Sequence, residues 1–289
     1  METHTIRTDG ADLVYDVHGP LPTPDGPPPL LMIGHPMDAA GFAALAARFP
    51  ERTVVTYDPR GLGRSTRRDG RVDHTPQTQA DDVHAVIGAL GAGPVEMFAS
   101  SGGAITALAV VARYPGDVTT LVAHEPPLIG LVPDGPAAVR ARAGVREAYE
   151  KRGWGAGMAA FVAMASWKGE FTEAYFAQPE ADPAAFGLTA EDDGSRDDPL
   201  LSDRSWAVSS HRPDAEAIAA APTRVVIAVG EESQDLLTAR TSVATAELLG
   251  QRVTVFPSHH GGFCDGEYGY PGKPDEFARR LREVLDGAA

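Results

Sequence analysis

Short apolar runs alternate with longer stretches in which apolar residues recur every three or four positions. Leu13–Val17, Leu30–Ile33, Thr53–Tyr57, Val95–Phe98 and Val118–Ala123 read as strands. Between them, Ala39–Phe49 and Gln77–Leu90 have helical spacing, the second with Val83, Val86, Ile87 and Leu90 on one face. Ala104–Arg113 reads as an apolar helix that must stop before Pro115. Pro20–Pro29 is a Pro/Gly turn short enough for a hairpin tip, and Asp58–Pro76, polar and rich in Gly and Arg, is expected to be a loop.

The pattern changes after Pro126. As far as about Pro213 there is no clear strand, several glycines, and Trp154, Trp167 and Trp206. Alternation then resumes with strand Arg224–Val229, helix Leu236–Leu249, strand Val253–Phe256, a Gly-rich loop and helix Asp275–Leu285. The βαβα order predicts an α/β fold, a mostly parallel central sheet with helices on both faces. The interruption predicts a mostly helical lid over residues 127–213, inserted between core segments 1–126 and 214–289. Trp154, Met158, Phe161, Met164 and Trp167 are expected chiefly in the core of that lid, with lining of an apolar pocket as the alternative.

Charge and composition narrow the function. The 289 residues carry a net charge of −15, and no Lys/Arg cluster is large enough to neutralise a phosphate backbone, which argues against nucleic acid as a partner. An anionic membrane would repel the same surface, and no apolar run approaches the roughly 18 residues of a spanning helix. The single cysteine, Cys264, rules out an intramolecular disulfide, and the N-terminus has no signal-peptide pattern. A cytoplasmic location and a small-molecule substrate are the expectations, and oligomeric state is not legible. No zinc spacing or phosphate-loop pattern occurs, so no metal and no cofactor are expected.

The most informative segment is Val95-Glu-Met-Phe-Ala-Ser-Ser-Gly-Gly-Ala104: a strand, a tight turn of small residues, then a helix. Ser101 sits at the apex with Ala99 and Gly103 two positions to either side. A nucleophile elbow needs this spacing, because bulky neighbours would block so sharp a turn. The Gly102 N–H, at the helix N-terminus, then points at a developing oxyanion. The competing structural reading is an ordinary helix N-cap. Centring the turn on Ser100 instead puts Gly103 out of register.

With that elbow, the chain resembles the α/β-hydrolase superfamily over almost its whole length. Val55-Thr-Tyr-Asp-Pro-Arg-Gly-Leu-Gly-Arg-Ser65 is similar to the superfamily's D-x-R-G-x-G-x-S loop, in which Asp58 and Arg60 are expected to brace the backbone while Gly61 and Gly63 permit positive φ. Ile33-Gly-His-Pro resembles H-G-x-P, which implies the His35 N–H as second oxyanion donor; its side chain either faces substrate or is incidental to the turn. Phe256-Pro-Ser-His-His-Gly-Gly resembles P-G-x-H-x-G, which implies His260 rather than His259 as the catalytic base.

The acid departs from the commonest pattern. Where G-x-x-D is usual, this chain has Gly230-Glu-Glu-Ser233, and serine cannot hold a negative charge. Glu232 or Asp235 would serve if the loop shifted. The alternative is Glu125, in Ala123-His-Glu-Pro, which together with the Ser-Ser-Gly elbow resembles the zearalenone-type lactone hydrolases. The resemblance therefore implies a serine hydrolase of the esterase or lactonase type, with a Ser101–Glu125–His260 triad acting through an acyl-enzyme. A proline-iminopeptidase-like peptidase, a cofactor-free perhydrolase and a non-catalytic small-molecule receptor on the same fold are the rivals.

Overall fold

The computed structural model describes residues 1–21, 26–266 and 271–287. Its strands are β1 (Glu2–Thr8), β2 (Ala11–His18), β3 (Leu30–Ile33), β4 (Val54–Tyr57), the two-residue β5 (Thr66–Arg67), β6 (Val95–Ser100), β7 (Val118–His124), β8 (Arg224–Gly230) and β9 (Thr254–Phe256). They form one sheet in the order β1-β2-β4-β3-β6-β7-β8-β9, with β5 added alongside β2. From β4 to β9 every pairing is parallel; β2 pairs antiparallel with both β1 and β4. The fold is that of an α/β hydrolase.

The interior strands are apolar throughout because both faces are covered. Leu31 and Ile33 of β3 face one cluster, with Met97, Ala99 and Leu121, while Leu30 and Met32 face the other, with Phe98 and Val122. Helices α1 (Ala43–Ala46) and α9 (Pro274–Leu285) cover the second face. On the first face lie α2 (Pro76–Leu90) and α3 (Gly102–Arg113). The stripe expected on α2 is buried as read: Val83, Val86, Ile87 and Leu90.

Several elements differ from the sequence expectation: the loop read over Asp58–Pro76 carries β5, and the helix read over Ala39–Phe49 is a 3-10 turn at Ala39–Phe42 followed by the single turn α1. β1 carries almost no apolar alternation, because it is an exposed edge strand, and only its ladder with β2 defines it. The turn at 20–29, whose residues 22–25 lie outside the described residues, is not a hairpin tip. β2 and β3 are separated in the sheet by β4. β3 is buried on both faces, so it belongs in the sheet interior, and the chain must step past β4 to put it there.

Between β7 and β8 the described chain is helical and irregular, with no strand. It contains α4 (Gly135–Ala165), α5 (Glu173–Phe176), α6 (Trp206–Ser209) and α7 (Ala215–Ala220); α8 (Leu237–Leu248) follows β8. α4 breaks at Gly153, whose φ of 83° lies outside the helical region. Val145, Tyr149, Met164, Phe171 and Leu201 form a separate apolar cluster, against which Trp154, Met158, Phe161 and Trp167 pack partly buried. Arg142 clips the returning chain to α4 by donating to the carbonyls of Leu200 (2.9 Å) and Ser202 (2.8 Å).

The loop after β4 is braced as its residues suggest. Asp58 accepts from the backbone N–H groups of Ala39 (2.9 Å) and Arg64 (2.9 Å). Arg60 makes two 2.6 Å bonds to Asp82 of α2, with both side chains buried. Removing one partner strands the other charge in the interior. Asp82→Ala is expected to lower unfolding free energy by about 3 kcal/mol, at the lower end for a broken buried pair because Asp69 still reaches Arg60. Urea unfolding monitored by circular dichroism measures it.

Candidate active site

The site forms where three neighbouring strands end. Ser100 of β6 pairs in register with His124 of β7, and His124 with Ala228 of β8. The next residue on each of the first two strands, Ser101 and Glu125, therefore emerges at the same level of the same sheet edge. Both turn sharply: φ is 58° at Ser101 and 49° at Glu125. The Ser101 N–H donates to the His124 carbonyl (2.9 Å) and the Glu125 N–H to the Ala228 carbonyl (3.0 Å), so each bend is pinned to the adjacent strand.

Ser101 occupies the N-cap position of α3, but its side chain makes no capping hydrogen bond. A serine retained for capping would spend its oxygen on the N2 or N3 amide. Here the hydroxyl is left half-buried at the apex, on backbone whose strain costs on the order of 1–3 kcal/mol.

Glu125 is fully buried, with no exposed side-chain surface. Its Oε2 lies 2.6 Å from His260 Nδ1, and its Oε1 accepts from the Gly230 N–H at 2.9 Å. Burial alone would raise its pKa, but the His260 hydrogen bond and charge outweigh burial and hold the carboxyl well below the usual range. His260 stands on the loop after β9, its ring partly open to solvent. That loop lies across the end of β8: a Cβ at Gly230 would sit 2.6 Å from the Ser258 carbonyl. Only glycine lets the histidine loop approach closely enough for this bond.

The other candidates lie apart from the imidazole. Glu232 is exposed and pairs with Lys273 at 2.6 Å. Asp235 is exposed, and its carbonyl anchors Gly169 at 2.8 Å. His259 turns its Nε2 toward the Pro271 carbonyl, 3.2 Å away. Ser233, at the commoner acid position, is fully buried. Cys264 is buried beneath the loop, and among the described residues no group of three or more His, Cys, Asp or Glu is placed to hold a metal ion.

The elbow docks on the Gly34–His35 loop. A Cβ at Gly102 would sit 2.7 Å from the His35 carbonyl oxygen. The backbones of the two candidate oxyanion donors, His35 and Gly102, therefore adjoin. The His35 ring is held at both nitrogens, Nδ1 by Gln79 Nε2 (2.9 Å) and Nε2 by Ser205 Oγ (2.7 Å), so the ring is committed to protein partners. Sequence reading missed Gln79 and Ser205. The legible signal was a polar residue at position 79, four before Val83 on the core-facing stripe of α2.

Three buried histidines surround the site, and burial keeps each neutral. It pushes His35 down to about 3, with His74 adding to the effect, and His74 and His124 each down to about 4. His124 lies behind His260, ring centroids 6.1 Å apart, among Phe98, Phe256, Phe263 and Phe277.

Comparison with known proteins bears on the fold. Residues 30–152 match the family described as alpha/beta hydrolase fold. The chain is 34% identical to the uncharacterised hydrolase YraK of Bacillus subtilis (strain 168) over 129 residues, which is 44% of this chain and 46% of that protein. It is 36% identical over 133 residues to the bifunctional esterase/perhydrolase DCH of Acinetobacter calcoaceticus, again 44% of this chain and 46% of the relative. These matches span just under half the length of each relative. A thermophilic esterase from Thermogutta terrifontis superimposes with a TM-score of 0.65 at 21% identity, over 100% of this chain and 99% of that one.

The strained serine and the neutral histidines each give a measurable expectation. Ser101→Gly relieves the positive φ and is expected to be more stable than Ser101→Ala by about 1 kcal/mol in urea unfolding. The buried histidines impose an acid limit. Above pH 6.5, their ordinary value, they are neutral folded or unfolded. Below it the unfolded chain takes up protons that the folded chain excludes, so stability falls by up to about 1.4 kcal/mol per histidine per pH unit. The loss continues until the depressed folded values are reached. Unfolding curves at pH 7, 6 and 5 measure the slope, and His124→Phe is expected to flatten it by up to about 1.4 kcal/mol per pH unit.

Proposed function

We propose that the chain is a serine hydrolase of the α/β-hydrolase superfamily that cleaves a carboxylic ester, a lactone being the cyclic case, through an acyl-enzyme; the match of residues 30–152 to that fold's family supports it. The observation that carries the reading is the 2.6 Å bond between buried Glu125 and His260, on the sheet edge where Ser101 keeps its hydroxyl uncommitted. A buried carboxylate needs a donor, and here the His260 imidazole faces it through Nδ1 while the ring stays partly open to solvent.

In this reading His260 Nε2 takes the Ser101 proton as Oγ attacks the carbonyl carbon. Glu125 holds the Nδ1 proton and stabilises the imidazolium that forms. The backbone N–H groups of Gly102 and His35 receive the carbonyl oxygen as it becomes an oxyanion. His260 then gives its proton to the leaving alcohol, the acyl group stays on Ser101, and water repeats the sequence to release the acid. Residues 127–213 form the lid, whose apolar cluster closes over the acyl or alcohol portion.

The similarity to an esterase/perhydrolase favours a second reading in which hydrogen peroxide replaces water at deacylation and a peracid leaves. Both readings share the acyl-enzyme.

A panel of p-nitrophenyl esters and lactones tests the proposal. Ser101→Ala is expected to lose at least about a thousandfold in kcat and Glu125→Gln about a hundredfold or more. Asp235→Asn and Glu232→Gln are expected to stay within about threefold of the parent. A stopped acylation should leave the acyl mass on Ser101. Full loss in Asp235→Asn with an active Glu125→Gln would move the acid. Cleavage of prolyl amides without esters would point to the iminopeptidase reading, and ligand binding unchanged in Ser101→Ala without turnover to a receptor.

A further inference from the structure

A chain of buried polar side chains runs from the nucleophile helix to the inserted segment. Thr106 Oγ1, one turn into α3, lies 2.6 Å from Gln79 Oε1 of α2. Gln79 Nε2 lies 2.9 Å from His35 Nδ1, and His35 Nε2 lies 2.7 Å from Ser205 Oγ. All four residues are buried. Ser205 belongs to the single turn Asp203–Ser205, which precedes α6. A second bond seats the same turn, from the His74 N–H to the Arg204 carbonyl at 2.6 Å.

The protonation pattern is determined by the partners. With Gln79 Oε1 accepting from Thr106, its amide nitrogen faces His35 and donates, so Nδ1 accepts and Nε2 carries the hydrogen. That hydrogen is donated to Ser205. A neutral imidazole meets both demands and an imidazolium does not, consistent with the low pKa that burial imposes. A network satisfied at every junction fixes a unique arrangement, and loss of one junction leaves a buried group unpaired.

We propose that Gln79, the His35 side chain and Ser205 are positioning residues that set the aim of the His35 backbone N–H and make the oxyanion site complete only when the Asp203–Ser205 turn is seated. This rests on the reading of His35 N–H as an oxyanion donor. The His35 ring and its backbone amide belong to one residue in a tight turn, beside the Gly102 amide. Tethered at both nitrogens, the ring anchors its residue in the turn, so loss of either bond frees the residue to shift and its amide with it. Displacement by a fraction of an ångström weakens stabilisation of a developing charge far more than ground-state binding.

The test uses Ser205→Ala, Ser205→Thr and Gln79→Leu in the full chain, with p-nitrophenyl acetate as substrate. Phenylboronic acid serves as the tetrahedral probe on Ser101, and acetate as the ground-state ligand. Ser205→Ala and Gln79→Leu are expected to lose about ten- to a hundredfold in kcat with KM within about twofold. Their affinity for phenylboronic acid is expected to fall in parallel while inhibition by acetate is unchanged. Ser205→Thr, which keeps the hydroxyl, is expected to restore most of the kcat. A purely structural role would lower the melting temperature and leave kcat and boronate affinity of the folded protein intact, and that result overturns the proposal. If the parent cleaves no ester, or Ser101→Ala cleaves as fast as the parent, the serine-hydrolase reading fails first and the positioning role with it. If the parent is active and Ser205→Ala matches it in kcat and boronate affinity, the positioning role alone is overturned.

Discussion

Glu125 is a carboxylate with no surface of its own, and most of the site's architecture serves to keep it charged. Desolvation works against the ionised form; His260 opposes it most, chiefly through the 2.6 Å bond, His124 and Ser233 add to this, and the Gly230 amide also donates to the carboxylate. For these donors to converge, β8 must run two residues past the Ala228 that faces the end of β7, the loop after β9 must lie across β8, and residue 230 must lack a side chain. Loosening any of these conditions would leave a buried carboxylate either unpaired or protonated. An imidazole without its carboxylate has no fixed tautomer.

In the proposed triad, placing the acid at the end of β7 changes the geometry relative to the commoner place after β8. Ser101 and Glu125 become neighbours in the ladder, one residue beyond the Ser100–His124 pair. Both ends of the proton path thus hang from adjacent strands and both adopt positive φ. The position that would otherwise hold the acid is a buried serine, and the exposed acids nearby face solvent or Lys273. The chain spends backbone strain at two strand ends, where the surrounding ladder is strong enough to hold it.

Around this pair the protein buries polar side chains that carry no charge. His35, His74 and His124 are kept neutral by burial, and Gln79, Thr106 and Ser205 complete a run of hydrogen bonds through one of them. His124 fills a pocket of phenylalanines behind His260, so the imidazole that contacts Glu125 is backed by a ring that cannot compete for its charge at neutral pH. A low-dielectric wall of this kind strengthens every electrostatic contact in front of it.

The sequence alone determined the features that local chemistry dictates. The alternation of apolar runs and amphipathic stretches defined the α/β layers, because a strand covered on both faces has to be apolar throughout. Small residues flanking Ser101 indicated the sharp bend, because the bend admits no others. Ser233 at the commoner acid position turned the reading to Glu125 by resemblance, with Glu232 and Asp235 as alternatives, since spacing along a chain does not specify which strand ends lie side by side. Only the tertiary structure brought Glu125 to His260, across 135 positions of sequence. It alone placed β3 beyond β4, found the polar edge strand β1, and joined Gln79 and Ser205 to the His35 ring. Each of these depends on sheet order and register, which arise from the simultaneous burial of distant segments and leave no periodic trace in any one of them.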